Sequence, residues 1–161
     1  MSKEKFPTTQ AIRSLKHHKI AFSIKPYKYE ERGGTAVAAR ELNLDEHRVV
    51  KTLVMENENR HPFLILMHGD NKVSTKALAR ALGVKTVSPC DPKVAQKYTG
   101  YFVGGTSPFG TKKPLRIYIE NTIVDLEKIY INAGKRGLLA EISPSDLMRT
   151  LNPTPVNVAI G

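Results

Sequence analysis

The sequence contains one cysteine, no tryptophan and no long apolar run. Because Cys90 has no second cysteine to pair with, an internal disulfide is excluded and we expect a reducing, cytoplasmic location. No apolar stretch, Phe63–Met67 included, approaches the length that a membrane-spanning helix needs. The first seven residues show no apolar segment of the kind found in a signal peptide. These absences exclude a disulfide-stabilised secreted domain and predict no membrane partner.

Acidic residues are scarce relative to basic ones. The chain has 25 Lys and Arg against 15 Asp and Glu, which gives a net charge of +10 and a pI near 9.8. Such a surface attracts polyanions, and nucleic acid is the partner that this charge favours. A basic surface that serves only solubility is the alternative. Because no zinc-finger spacing or RNA-recognition consensus occurs, any specificity for RNA must come from a pocket or a partner.

The chain length of 161 residues predicts one domain, residues 1–161, with a substantial core. Predicted strands and helices follow one another without a regular βαβ rhythm. The sequence therefore predicts an α/β (α+β) fold, in which a curled mixed β-sheet forms a barrel-like core with helices packed around it. Expected helices cover residues 8–18, 35–42, 74–82, 91–99 and 143–151, and expected strands cover residues 21–24, 48–55, 62–68, 86–89, 101–103, 115–120, 128–132 and 138–142. Thr35 is expected to cap its helix, and residues 152–161 are expected to form a tail.

Two glycine-rich segments are the most informative part of the pattern. Residues 100–110 contain four glycines and a proline, and Gly104 and Gly105 follow a strand-like run. A tight connection between strands explains this composition, but so does a pocket wall whose backbone groups hold a small polar ligand. A second glycine segment, residues 132–137, follows another strand-like run. Two such loops at strand ends favour a common cleft.

Lys51 is the candidate for chemistry. The strand around it is apolar on both faces, and alternation places Val49, Lys51 and Leu53 on the same face. A lysine on an edge strand that points to solvent is one interpretation. The apolar flanks favour a second, in which the ammonium lines a cavity and binds a carbonyl or phosphate oxygen.

Other chemistries lack a pattern in the sequence. The five histidines show no zinc-ligand spacing, so no metal site is predicted. No phosphate-binding loop or dinucleotide fingerprint occurs, so no cofactor is predicted. Cys90 lies between Pro89 and Asp91 without a supporting motif, which indicates a structural thiol rather than a nucleophile.

The chain resembles the YbaK/EbsC family of aminoacyl-tRNA deacylases, which is related to the editing domain of bacterial prolyl-tRNA synthetase. The resemblance extends in order from about residue 20 to residue 147. The segments that carry it are Ala38–Leu42, Val50–Leu53, Gly83–Lys85, Gly100–Gly110 and Gly134–Leu138.

The resemblance implies the fold of that editing domain and a hydrolase of translation. Family members remove a wrongly attached amino acid from tRNA by breaking its ester to the terminal adenosine. YbaK-like members are free-standing trans-editing, proofreading enzymes that act on Cys-tRNA(Pro), with Cys-tRNA(Cys) as a further substrate. The implied partners are therefore mischarged proline tRNA and prolyl-tRNA synthetase. A lyase classification is the alternative to that of a hydrolase.

Site residues carry over only where the motifs match. The essential lysine of the family falls on Lys51. Substrate-binding residues are expected at Tyr27, Thr52, Gly104, Gly105, Asn132 and Gly134. Basic residues near the two glycine segments are expected to bind tRNA, namely Lys112, Lys113, Lys135 and Arg136.

Two departures leave the amino-acid preference open. Gly34 stands where a YbaK relative has an aromatic residue, and Asn132 stands where it has a serine. In the family the thiol of the esterified cysteine is thought to attack its own carbonyl, which explains why no nucleophile is evident. A deacylase for another small amino acid such as alanine, using bound water, is one alternative. A non-catalytic protein that binds tRNA or a nucleotide is the other.

Overall fold

A computed structural model describes residues 7–161 as a mixed β-sheet with helices on both faces. The strands are β1 Ser23–Pro26, β2 Val49–Asn57, β3 Pro62–His68, β4 Lys72–Val73, β5 Val87–Pro89, β6 Ile117–Glu120, β7 Ile129–Lys135, β8 Leu138–Ile142, β9 Thr154–Val156 and β10 Ala159–Ile160. The helices are α1 Gln10–His17, α2 Gly34–Leu42, α3 Thr75–Leu82, α4 Pro92–Thr99 and α5 Pro144–Leu151, and 3₁₀ helices cover Glu46–Arg48 and Asn121–Asp125.

The sheet combines parallel and antiparallel pairs, which confirms the predicted mixed α/β architecture. Its strand order is β1-β8-β7-β2-β3-β6-β9, with β5 also paired to β2, while β4 and β10 form a small second sheet. The pairs β2–β7, β3–β6 and β6–β9 are parallel, and the other pairs are antiparallel. Because helices and hairpins connect the strands irregularly, no repeated βαβ unit arises.

Strand β2 is the centre of the sheet because it pairs with three other strands. Strand β3 follows it from Val50 to Glu56. On the opposite edge, β7 pairs only with Val49 and Val50, and β5 begins to pair only at Met55. This edge of β2 therefore has a gap between its two neighbours, and the gap positions the site described below.

The core lies on both faces of the sheet. One face carries the largest cluster of buried side chains, to which α1 contributes Ile12 and α5 contributes Leu147. The other face carries two separate clusters. Helix α3 covers the first through Leu78, and helix α2 covers the second through Ala38. Between these two clusters, the second face of the sheet has a stretch that neither α2 nor α3 covers with apolar side chains.

Helix ends follow the predicted chemistry at most positions. The Thr9, Ser74 and Ser143 side chains accept hydrogen bonds from backbone N–H groups in the first turns of α1, α3 and α5. Pro92 opens α4, where its missing N–H costs nothing. The expected cap at Thr35 is wrong. Gly33 precedes α2 without a side-chain cap, and the Thr35 hydroxyl bonds elsewhere.

Residues 101–103 do not form the predicted strand, and the first glycine segment follows helix α4 instead. The Tyr101 hydroxyl donates to the carbonyl of Phe109 at 2.6 Å inside the core, and the N–H of Gly105 donates to the carbonyl of Phe102 at 2.8 Å. These bonds reverse the chain direction, so residues 101–103 anchor a loop although their β-propensity is high. The second glycine segment also differs from prediction, because β7 runs on to Lys135 with an irregularity after Asn132.

The expected tail is also wrong, since residues 154–160 form two strands. Strand β9 pairs with β6, and β10 pairs with β4. The Glu120 carboxylate is fully buried and accepts hydrogen bonds from the N–H groups of Val158 (2.7 Å) and Ala159 (3.1 Å). These bonds fasten the C-terminal segment to the sheet. No helix within residues 7–161 is long and apolar enough to cross a membrane.

Candidate active site

A cavity of about 600 Å³ lies over the gap in the edge of β2. Residues from the loop before α2, from β2, from the β5–α4 connection, from the first glycine segment and from the β7–β8 hairpin form its wall. They include Tyr27, Tyr29, Arg32, Gly34, Thr35, Lys51, Thr52, Cys90, Val103, Gly104, Asn132 and Arg136. The cavity thus collects residues from segments that are far apart in sequence.

Lys51 lies in this cavity at the break between the two clusters on the second face of the sheet. Val49, two residues before it, belongs to the cluster under α2, and Leu53, two residues after it, packs against the cluster under α3. The side chain is half-buried, and its Nζ donates to the carbonyl of Gly69 at 3.3 Å. The predicted cavity position of Lys51 is therefore the observed one.

Burial lowers the pKa of the Lys51 ammonium, because desolvation penalises the charged form. The negative charges of Glu46 and Asp70 act in the opposite direction, and the positive charge of Lys72 adds to the lowering. The net pKa is below that of a free lysine. The site thus holds a cation that is only partly compensated by carboxylates.

The carbonyl that accepts from Lys51 is held in place by a close approach of several segments. The Thr35 hydroxyl lies 3.1 Å from the Gly69 carbonyl and 2.8 Å from Glu46 Oε2. A Cβ at Gly69 would lie 2.6 Å from the Thr35 hydroxyl oxygen and 2.7 Å from the Val49 carbonyl oxygen. Only glycine fits at position 69, and Thr35 links α2 to the lysine through it.

Thr52 lines the cavity at the gap in the edge of β2. The N–H of Cys90 donates to the carbonyl of Val54 at 3.0 Å, so even-numbered residues of β2 direct their backbone groups toward the gap. Thr52 lies in the gap, where neither the β7 nor the β5 ladder reaches. Its hydroxyl oxygen is buried and has no partner among the residues that the structure describes.

The first glycine segment is fixed to the β7–β8 hairpin by side chains. Asn132 Nδ2 donates to the carbonyl of Gly104 at 3.1 Å, and Arg136 Nε donates to the carbonyl of Val103 at 2.8 Å. The side-chain amide oxygen of Asn132, Oδ1, accepts from the N–H of Gly134 at 2.7 Å. Asn132 thus holds both glycine segments together, which confirms the predicted convergence on one cleft.

Two tyrosines before α2 complete this wall. The N–H of Tyr27 donates to the carbonyl of Gly137 at 2.9 Å, and burial raises the pKa of the Tyr27 hydroxyl. The ring of Tyr29 lies against Gly104, where φ is +91° and a Cβ would be 2.7 Å from the Tyr29 hydroxyl oxygen. The guanidinium carbon of Arg136 is 5.4 Å from the centre of the Tyr29 ring. Sequence reasoning missed Tyr29, although its spacing of two residues from Tyr27 is a usable signal.

Cys90 also lines the cavity, which the sequence did not predict. The thiol is buried, and burial together with the nearby Glu56 carboxylate raises its pKa to about 11. A thiol with this pKa is protonated at neutral pH and is a poor nucleophile. The cavity position of Cys90 was not expected, but its raised pKa fits the predicted structural thiol.

The structure brings some of the predicted residues into the cavity and leaves others outside it. Those that line it are Tyr27, Lys51, Thr52, Gly104, Asn132 and Arg136. Those that do not are Gly105, Gly134, Lys112, Lys113 and Lys135, which support or flank the glycine segments. Gly34, at φ +61°, opens into free space, because nothing lies within 4 Å of the place of a Cβ.

Histidines gather beside the site rather than within it. His47 Nδ1 is 2.8 Å from Asp70 Oδ1, and its ring stacks on that of the buried His68 at 3.7 Å. The His68 ring bonds to Thr122 and to the His47 carbonyl, so its nitrogens are already used. Within residues 7–161 no three His, Cys, Asp or Glu side chains come together as a metal-binding group.

Sequence comparisons relate the chain to a family of known proteins. Residues 30–150 match the profile of the aminoacyl-tRNA editing domain. Over 147 residues the chain is 31% identical to a protein of Enterococcus faecalis with the provisional name Cys-tRNA(Pro)/Cys-tRNA(Cys) deacylase EbsC, covering 89% of this chain and 88% of that protein. It is 27% identical to a proline–tRNA ligase of Brachyspira hyodysenteriae over 58% of this chain but only 16% of the ligase.

A solved structure shares the whole fold. It is a crystal structure provisionally described as a trans-editing enzyme for prolyl-tRNA synthetase. The two chains superpose with a TM-score of 0.84 at 19% identity, over 97% of this chain and all of the other. At this identity the superposition establishes the fold, and the family follows from the sequence matches. The chain belongs to the aminoacyl-tRNA editing domain family.

Proposed function

We propose that this protein deacylates mischarged Cys-tRNA(Pro) in trans, with Lys51 as the residue essential for the reaction. The observation that carries the proposal is a partly compensated lysine ammonium in a cavity of about 600 Å³ that Thr52 and the first glycine segment also line. The name of the Enterococcus faecalis relative supports cysteine as the amino acid and proline tRNA as its carrier. Prolyl-tRNA synthetase is the partner that the ligase relative suggests.

The proposed reaction needs no protein nucleophile. The thiol sulfur of the esterified cysteine attacks its own carbonyl carbon, and a C–S bond forms as the ester C–O bond breaks. The thiol proton passes to the ribose oxygen, which leaves as the free hydroxyl of the terminal adenosine. Water then opens the small thioester ring to give cysteine. The ester is already activated, so position and charge stabilisation are what the protein supplies.

The cavity residues supply these two contributions. The Lys51 ammonium binds the ester carbonyl oxygen, where negative charge develops during attack. Thr52 and the backbone at Gly104 bind polar groups of the aminoacyl end. Cys90 stays protonated and takes no part, because its pKa is about 11. Tyr27 and Asn132 shape the wall that faces the amino acid.

Deacylation of a panel of tRNAs charged with cysteine, serine or alanine tests the proposal. We expect fast release of cysteine and much slower release of serine, because a hydroxyl is a far weaker nucleophile at neutral pH. Equal rates on the cysteine and serine esters contradict the thiol mechanism and favour bound water. If alanine is released faster than cysteine, the enzyme is a deacylase for alanine. If no amino acid is released from any tRNA, the protein is a non-catalytic tRNA-binding protein.

Lys51→Ala provides the matched test of the residue. Removing one group that stabilises developing negative charge costs on the order of a hundredfold or more in rate. Lys76→Ala removes an equal charge from an exposed position of α3 and should retain full activity. Wild-type rates in Lys51→Ala, with an unchanged circular dichroism spectrum, would remove Lys51 from the mechanism.

A further inference from the structure

Two large apolar side chains stand exposed beside the mouth of the cavity. Phe102 is 63% exposed and Val103 is 54% exposed. Among the large hydrophobic residues exposed within residues 7–161, they are the only adjacent pair. Val103 lines the cavity, whereas Phe102, the residue before Val103, does not. We call this pair the apolar ridge. Contiguous exposed apolar side chains are a feature of sites that bind a partner.

The apolar ridge is held by hydrogen bonds to its backbone. The carbonyl of Phe102 accepts from the N–H of Gly105 at 2.8 Å, and the carbonyl of Val103 accepts from Arg136 Nε at 2.8 Å. The next carbonyl, that of Gly104, accepts from Asn132. Both side chains are therefore displayed on a fixed backbone, which reduces the ordering cost of binding.

Basic residues pack against both ends of the segment that carries the apolar ridge. After the ridge, the segment packs on the β7–β8 hairpin so closely that a Cβ at Gly105 would be 2.8 Å from the backbone nitrogen of Arg136, and the exposed Lys135 comes just before Arg136. Before the ridge, the Cβ of Lys112 lies 3.5 Å from the place of a Cβ at Gly100. The Nζ of its neighbour Lys113 lies 4.7 Å from the centre of the Tyr98 ring.

We propose that the apolar ridge is a stacking platform for unpaired nucleobases of an RNA 3′ end, with the two basic flanks holding the phosphates on either side. An aromatic side chain flanked by cations suits single-stranded nucleic acid, because a base stacks on the ring while phosphates meet the charges. A protein partner with an apolar patch explains the ridge but not the cations around it. The inference rests on the proposed function, since it places the bases that precede an esterified terminal nucleotide next to the cavity.

Binding of an uncharged RNA tests the platform separately from catalysis. The probe is a fluorescein-labelled single-stranded oligoribonucleotide, compared with the same sequence in a duplex. Stacking on one aromatic contributes about 1–3 kcal/mol per base, so Phe102→Ala should weaken single-strand binding about 5- to 150-fold. Val124→Ala truncates another exposed apolar side chain, which is 41% exposed on the 3₁₀ helix at 121–125, and should leave the affinity for RNA unchanged. Equal affinity for wild type and Phe102→Ala overturns the proposal.

The absence of tryptophan provides a second readout. Phe102→Trp introduces the chain's single tryptophan at the platform, and a base stacked on it should quench the tryptophan emission. The single strand should quench strongly and the duplex weakly. Emission that is unchanged at saturating single strand contradicts stacking. Loss of self-association in Phe102→Ala without loss of RNA affinity also overturns the proposal, because the ridge is then an interface between copies.

The two proposals can fail separately. If wild type releases no amino acid but Phe102 still controls RNA affinity, the deacylase proposal fails and the platform stands. If wild type deacylates and Phe102→Ala leaves both KM and RNA affinity unchanged, the platform fails and the deacylase proposal stands. In the expected outcome, Phe102→Ala raises KM and leaves kcat close to that of wild type.

Discussion

Lys51 has one fixed hydrogen-bond partner, the carbonyl of Gly69, and its charge depends on groups around that carbonyl. Burial favours the neutral amine, while Glu46 and Asp70 favour the ammonium. Thr35 binds both Glu46 and the Gly69 carbonyl, so α2 helps to set the position of the lysine. At the scale of single residues, neighbours in three segments, namely α2, the 3₁₀ helix at 46–48 and the β3–β4 turn, thus set the position and the charge of the lysine.

As the pH rises, the deacylase activity should be lost at a lower pH than the pKa of a free lysine would predict. A lysine is charged below its pKa, and burial lowers that pKa, so the positive charge is lost sooner as pH rises. Asp70→Asn removes a charge that opposes the lowering and should move the loss to still lower pH. The measurement is the ratio of kcat/KM for Asp70→Asn and wild type at each pH, in which ionisation of the substrate cancels. A ratio that is constant through the alkaline range contradicts this prediction.

Cys90 should be chemically inert in the folded protein although it lines the cavity. A pKa of about 11 leaves a thiolate fraction far below that of a free cysteine. We expect alkylation by iodoacetamide at pH 7.5 to be on the order of a hundredfold slower in the folded state than in urea. We also expect Cys90→Ser to keep wild-type deacylation. Rapid folded-state alkylation, or an inactive Cys90→Ser that is still folded, argues for a direct role.

The first glycine segment contributes one part of the cavity wall and also carries the apolar ridge. Its anchor is Tyr101, a buried residue whose hydroxyl bonds to the Phe109 carbonyl. Burial raises the pKa of this hydroxyl, so it remains a donor at any physiological pH. The segment is thus irregular in its backbone dihedral angles and yet fixed at its base.

Tyr101→Phe should lower the free energy of unfolding by about 1–3 kcal/mol, because it leaves a buried carbonyl without its donor. Tyr118→Phe is the control, since the Tyr118 hydroxyl makes no hydrogen bond within residues 7–161. Urea denaturation of the two variants measures the difference. Equal stability of both variants shows that the hydroxyl does not anchor the segment.

The sequence predicts the regular elements well and the irregular ones poorly. Strands β3 and β8 have the predicted bounds because β-branched and other apolar residues continue between turn residues. Residues 101–103 have the same composition but are turned by bonds to Phe109 and Gly105, which are set only after folding. The two prolines within residues 152–161 predict a tail, yet this segment forms β9 and β10, which pair with β6 and β4.

The same distinction applies to the candidate site. Lys51 could be predicted because its flanks are apolar within its own strand. The positions of Thr35 and Cys90 could not, because each reaches the cavity through a segment that only the fold brings near. Local sequence carries no information on such distant neighbours.

At the scale of the molecule, the net charge of +10 should make binding of tRNA strongly dependent on salt, because bound phosphates release counterions. Lys112→Ala with Lys113→Ala should reduce the slope of log affinity against log salt by about 1.4 to 1.8. Lys76→Ala with Arg80→Ala removes the same charge from α3 and should leave the slope unchanged. An affinity that is flat between low and moderate salt assigns the charge to solubility alone. Equal slopes in the two double variants contradict a local role for the basic flank.

The bonds between Glu120 and the C-terminal segment have a consequence for how the chain folds as it leaves the ribosome. Strand β6 is made well before Val158 and Ala159, whose N–H groups are the partners of the buried carboxylate. Until those residues emerge from the exit tunnel, Glu120 must stay hydrated, because burying an unpaired carboxylate is strongly unfavourable. The outer edge of the sheet therefore cannot close on the nascent chain, and its closure is a late event that follows synthesis of residues 154–160.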